Sequence, residues 1–145
     1  MAVKLVVGLD GSPSGERALA FAKRVARLVE GSELILVYVI EWSPFTFQTA
    51  EENAERHKRR EEEFAVATSR IVDPALKAAQ DEGFTARGIV KHGKVADLLN
   101  TVALQEHADQ IVVARTSTDG LAARVFGTAT ANLVMSASVP VTVVA

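Results

Sequence analysis

The sequence contains no cysteine, one tryptophan, one tyrosine and four prolines, and its opposite charges nearly cancel. Without cysteine there is no disulfide framework, thiolate metal site, iron–sulfur cluster or cysteine nucleophile. The three histidines, His57, His92 and His107, lack the i, i+4 spacing of a helical zinc site, so no metal centre is expected. Sixteen Lys and Arg against eighteen Asp and Glu leave a net charge of −2. That is too little of one sign to attract nucleic acid or an anionic lipid surface. No apolar run approaches transmembrane length, so membrane insertion is not expected. Met1-Ala2-Val3-Lys4 leads directly into Leu5-Val6-Val7-Gly8-Leu9, too short for the hydrophobic stretch of a secretory signal, and the expected location is the cytoplasm.

What the chain does have is a core. Its 145 residues, 48% hydrophobic and 23% charged, suit one domain spanning 1–145 and exclude global disorder. Short β-branched apolar runs recur at 4–9, 33–40, 86–90, 110–114 and 139–144. All but the third are nearly continuous rather than alternating, the pattern of strands buried on both faces. Between them the period becomes helical. Ala18, Ala22, Val25, Ala26 and Val29 share one face of a first helix, with Arg17, Lys23, Arg24 and Arg27 largely opposite. Val95, Leu98, Leu99 and Val102 form a second stripe, and Phe126, Thr130, Leu133, Val134 and Ala137 a third. Strand and helix in alternation predict an α/β fold, a doubly wound parallel sheet of five strands with helices on both faces.

One stretch breaks this rhythm. The aromatic loop Trp42-Ser43-Pro44-Phe45-Thr46-Phe47 precedes a run from Glu51 to Glu63 that is polar all round. Opposite charges at helical spacing, Glu52 with Arg56, Glu55 with Arg59 and Lys58 with Glu62, predict an exposed helix or arm. Asp73-Pro74 then predicts a restart or kink, and Gly83 a helix end.

Ligands of doubly wound sheets bind beyond the carboxyl ends of the strands, where strand order reverses. Two turns qualify. Asp10-Gly11-Ser12-Pro13-Ser14 follows the first strand: Asp10 can accept hydrogen bonds from a ligand, Gly11 permits a tight turn, and Ser12 or Ser14 can cap the helix. The turn is not a P-loop, since it has neither the G-x-x-x-x-G-K-[ST] spacing nor a lysine. Ala114-Arg115-Thr116-Ser117-Thr118-Asp119-Gly120 leaves the fourth strand, and Gly127-Thr128 is expected at the start of the last helix. Free amides there, with the Thr128 and Thr130 hydroxyls, would seat a phosphate. His92 and Lys94, after the third strand, are outlying candidates.

These features together resemble the universal stress protein family over essentially the whole chain. The resemblance rests on Val7-Gly8-Leu9-Asp10-Gly11-Ser12, Val37-Tyr38-Val39, the Gly93 turn, Ile111-Val112-Val113 and the closing Val139-Pro140-Val141-Thr142-Val143-Val144. It implies strand order 3-2-1-4-5 and an adenine nucleotide alpha hydrolase-like fold. ATP-binding members carry G-x-x-G, nine further residues, then G-[ST]. Gly127-Thr128 matches the last pair, whereas Ala114 and Ser117 stand at the two earlier glycines. If position 117 requires positive φ, serine there would cost about 1–2 kcal/mol, and the added Cβ atoms would crowd ribose or phosphate.

The resemblance further implies that Asp10, with Gly11 and Ser12 beside it, and Val39 hold the adenine end. Ala114 would lie against ribose, and Ser117, Gly127 and Thr128 would face the phosphates. It implies a homodimer through the C-terminal strand. The expected function is a stress-related regulatory or binding protein that acts through a protein partner, with weakened or absent ATP binding. No cofactor is required. The alternative is an adenine-nucleotide sensor binding ATP, with magnesium, or AMP. No general base or activated nucleophile is evident, so catalysis is not expected; slow ATP hydrolysis would need a metal and a positioned water. A phosphorylatable receiver fits less well, because Lys91-His92-Gly93 follows the third strand in place of an acceptor aspartate. A flavodoxin would need ring-flanking aromatics that only Trp42 and Tyr38 offer.

Overall fold

The computed structural model describes residues 2–41, 49–115 and 121–145, with the side chains of 121–128 outside that description. The five apolar runs form strands β1 (Lys4–Leu9), β2 (Glu33–Glu41), β3 (Thr85–Gly93), β4 (Gln110–Ala114) and β5 (Val141–Val144). Between them lie helices α1 (Pro13–Leu28), α2 (Ala50–Ala67), α3 (Asp73–Asp81), α4 (Val95–Gln105) and α5 (Leu121–Ser136). All pairings are parallel, in the order β3-β2-β1-β4-β5.

Each sheet face is covered, as continuous apolar strands require. Leu5, Val7, Leu34, Leu36 and Val112 pack with Ala18, Leu19, Ala22 and Ala26 of α1 and with Ala75 and Leu76 of α3. The alternate residues Val6, Ile35, Val37, Ile111 and Val113 pack with Leu99 and Val102 of α4 and Leu133 of α5. The central strands β1, β2 and β4 carry the fully buried positions, while β3, at one edge, is exposed at Arg87, Gly88 and Lys91. That exposure explains why its apolar signal is interrupted, and it runs to Gly93 rather than stopping at Val90 because its ladder with β2 continues to Glu41.

Two further boundaries depart from expectation. β5 begins at Val141, because Pro140 has no N–H for the ladder; its carbonyl still accepts from Ile111 N at 2.9 Å. At Asp73-Pro74 a new α-helix, α3, does begin with Pro74 in its first turn, as expected, but the cap position falls on Val72 rather than Asp73. Helices α2 and α3 join through a π-helical segment, Thr68–Val72, and Asp73 N donates to Thr68 O across the wide turn. Pro74 supplies no N–H, so the chain widens one turn ahead of it instead of ending.

Candidate functional site

The first turn is held by its own side chains. Asp10 Oδ1 accepts from Ser12 N at 2.9 Å, Ser12 Oγ at 2.7 Å and Gly15 N at 3.1 Å. Ser12 is the N-cap of α1, its hydroxyl accepting from Ser14 N at 3.2 Å while donating to Asp10. Gly11 has φ +76°, and its positive angle lets the chain reverse between strand and cap. Gly15 is needed for space: a Cβ there would lie 2.9 Å from Asp10 Oδ1. The geometry thus fixes the Asp10 carboxylate through one oxygen. Its second oxygen meets no protein donor among the described residues.

The strands separate beside this turn. β1 pairs with β2 as far as Leu9–Tyr38, and β4 with β5 as far as Ala114–Val144, but β1 and β4 pair only through Val7–Val112. The split opens a cleft of about 270 Å³ at the switch point of the sheet. Asp10, Val39 and Ala114 line it from three strands' ends, with Thr130 and Leu133 of α5 and Leu99 of α4 closing the other side. The walls are largely aliphatic, and the polar residues among those that line it are Asp10, Ser14, Tyr38, Glu41 and Thr130. Tyr38 is raised above the ordinary phenol range by burial and then by the nearby Asp10, Glu63 and Glu41 carboxylates. It therefore remains a neutral hydroxyl, able to donate, throughout the physiological range.

Of the expected binding residues, the structure brings Asp10, Val39 and Ala114 together. Gly11 and Ser12 lie behind Asp10 and border a separate groove between α1 and the π-helical segment. Ser117 lies outside the described residues, as does the side chain of Thr128. The backbone of Gly127-Thr128 falls in the interior of α5, which begins at Leu121, rather than at its start. Leu121-Ala122-Ala123-Arg124 are strong helix formers and carry the helix back beyond Gly127. Lys94 precedes α4 and faces a third groove beside Gly93.

His92 belongs to β3 rather than to a loop, and turns toward α2. Its ring stacks on Phe64 with centroids 5.9 Å apart, its Nε2 lies 4.0 Å from Glu63, and that buried nitrogen has no hydrogen bond among the described residues. Tyr38 and Glu41 were absent from the sequence-based site, and Ser14 entered its candidate turn only as a helix cap. Tyr38 and Glu41 lie on β2 beside Val39, and the end of that strand forms part of the cleft wall, although Tyr38 packs against Ala67, Val72 and Val90. Among the described residues no group of three or more His, Cys, Asp or Glu side chains is disposed to hold a metal, and no helix is long and apolar enough to cross a membrane.

No curated protein sequence matches the chain. Among solved structures it is similar to universal stress protein UspA from Lactobacillus plantarum, at 19% identity and TM-score 0.81, over 99% of this chain and 97% of that one. It is similar to a universal stress protein in complex with cAMP, at 24% identity and TM-score 0.67, over 99% and 97%. It also resembles the universal stress protein from Archaeoglobus fulgidus in complex with dAMP, at 20% identity and TM-score 0.63, over 99% and 98%. These likenesses establish the shared fold. The sequence itself matches the universal stress protein family over residues 1–145, and the chain belongs to that family.

Proposed function

We propose that this protein is a non-catalytic, adenine-nucleotide-binding regulator, a single domain whose cleft takes the nucleoside portion of the ligand more firmly than a polyphosphate tail. The carrying observation is the convergence of Asp10, Val39 and Ala114 on one largely aliphatic cavity with few polar groups, the composition of a small-molecule site. The cAMP and dAMP complexes of similar proteins support a nucleoside monophosphate as its ligand. The Asp10 carboxylate, fixed through one oxygen, has the other for a ribose hydroxyl or base amine. In the sequence Ala114 and Ser117 replace two of the family's three glycines, and Ala114 borders the cleft; a motif carrying those two Cβ atoms favours AMP over ATP.

Isothermal titration with AMP, cAMP and ATP tests the reading. AMP should bind more tightly than ATP, Asp10→Ala should abolish both, and Ala114→Gly with Ser117→Gly should raise ATP affinity selectively. Wild-type protein that binds none of the three refutes it.

Regulation is proposed to pass through a protein partner and a homodimer. Among the described residues β5 pairs with β4 alone and ends the sheet, with Val143 41% exposed, so its outer backbone groups face a second copy.

A further inference from the structure

Past Val7 and Val112 no backbone ladder joins β1 to β4, and Arg115 N donates instead to Val144 O at 2.7 Å, on the side away from β1. The width of the cleft is therefore not set by sheet hydrogen bonding. A side chain spans the gap. Arg17, on α1, donates from Nη2 to the Arg115 carbonyl at 2.7 Å and to Ser14 Oγ at 3.3 Å. Ser14 is buried and lines one wall of the cleft, and Arg115 directly follows Ala114, which lines the other.

We infer that Arg17 is a positioning residue for the nucleotide, a strut that fixes the separation of the two cleft walls by bonding to both. This rests on the nucleotide reading above. The role suits a guanidinium: one planar NH2 group presents two hydrogens at a fixed angle and stays charged at every accessible pH, whereas a lysine ammonium is a rotating point charge without that fork. Neither acceptor is a carboxylate, so the contact is not an ion pair formed for surface charge balance. The strut acts on the walls and not on the ligand's phosphate, and that separates it from an ordinary anion-binding arginine.

The test is titration of wild type, Arg17→Ala and Arg17→Lys with both adenosine and AMP, beside urea unfolding of each. Arg17→Ala should weaken both ligands by a similar factor, about tenfold, the size expected for a charged hydrogen bond. Millimolar methylguanidinium should restore much of that loss. Arg17→Lys, which keeps the stem and the charge, should retain the wild-type unfolding midpoint and show an intermediate loss. Loss of AMP with adenosine unchanged would assign Arg17 to the phosphate and overturn the strut, as would unchanged binding in both variants or full wild-type binding by Arg17→Lys. Wild type that binds neither ligand would instead bring down the nucleotide reading on which the strut depends.

Discussion

At Asp10 a single carboxylate oxygen collects two backbone amides and a hydroxyl, and the tightness of that arrangement makes its neighbour Gly15 the least replaceable small residue of the turn. Alanine is the better helix former by about 1 kcal/mol, yet its Cβ would also sit 3.0 Å from the Asp10 backbone nitrogen, which cannot swing away as a flexible side chain could. Gly15→Ala should lower stability by about 1–3 kcal/mol in urea unfolding and weaken AMP binding in the same protein. Much of this residue-scale design was legible. An aspartate after an apolar run, with glycine and serine following, reads directly as a strand-to-helix turn. What could not be read was Arg17, because its acceptor on Arg115 lies 98 residues away and no local spacing marks the pair. Nor could the sequence show that Ser12 faces away from the cleft while Ser14 faces it, since that depends on where the cap falls within the first turn of α1.

Helices differ sharply in how they are held. α1 buries Ala18, Leu19, Ala22 and Ala26, whereas α2 buries Ala67 alone and is otherwise supported by a Thr49–Glu52 capping box, the Glu55–Arg59 pair at 3.8 Å and the stack of Phe64 on His92. Amides of α2 should therefore exchange with deuterium well ahead of those of α1, and Phe64→Ala should accelerate them further. Equal protection in the two helices would contradict this account. Leu99 of α4 is 1% exposed and lies between the core and the cleft, so Leu99→Ala should cost about 2–5 kcal/mol in urea unfolding. The edge strand β3 is tied in by charge. Arg87 bonds Glu33 through Nε at 2.6 Å and Glu106 through Nη2, which holds the Glu106 carboxyl below its ordinary range and Arg87 above the ordinary arginine range. A depressed carboxyl contributes stability above the unfolded glutamate value, about 4.3, and loses it as pH falls through the folded value; the arginine stays charged throughout. Arg87→Gln should thus shift the urea midpoint near neutrality and do so less at about pH 3. The exposure of this pair keeps the effect small. The buried strands were legible as continuous apolar runs, but the π-helical turn was not, since Asp73-Pro74 reads equally well as a helix start.

At the scale of the molecule, β5 is a border strand of the parallel sheet among the described residues. Ile111 N and Arg115 N bond to the carbonyls of Pro140 and Val144, so by alternation the backbone groups of Val143 point outward. Val143→Pro removes an outward N–H without touching the β4 ladder. If copies pair there, light scattering should show a monomer whose circular dichroism is unchanged; a persistent dimer would place the contact elsewhere. The strand order has another consequence, for assembly of the protein on the ribosome. Every ladder joins strands separated by a crossover, and none is a hairpin, so each forms only after a long loop closes. The central strand β1 emerges first, but its second neighbour, β4, ends at Ala114. Nascent chains that stall before that point expose one border of a strand whose Leu5, Val6 and Val7 are fully buried in the finished fold, and aggregation during synthesis should fall sharply once β4 has been made.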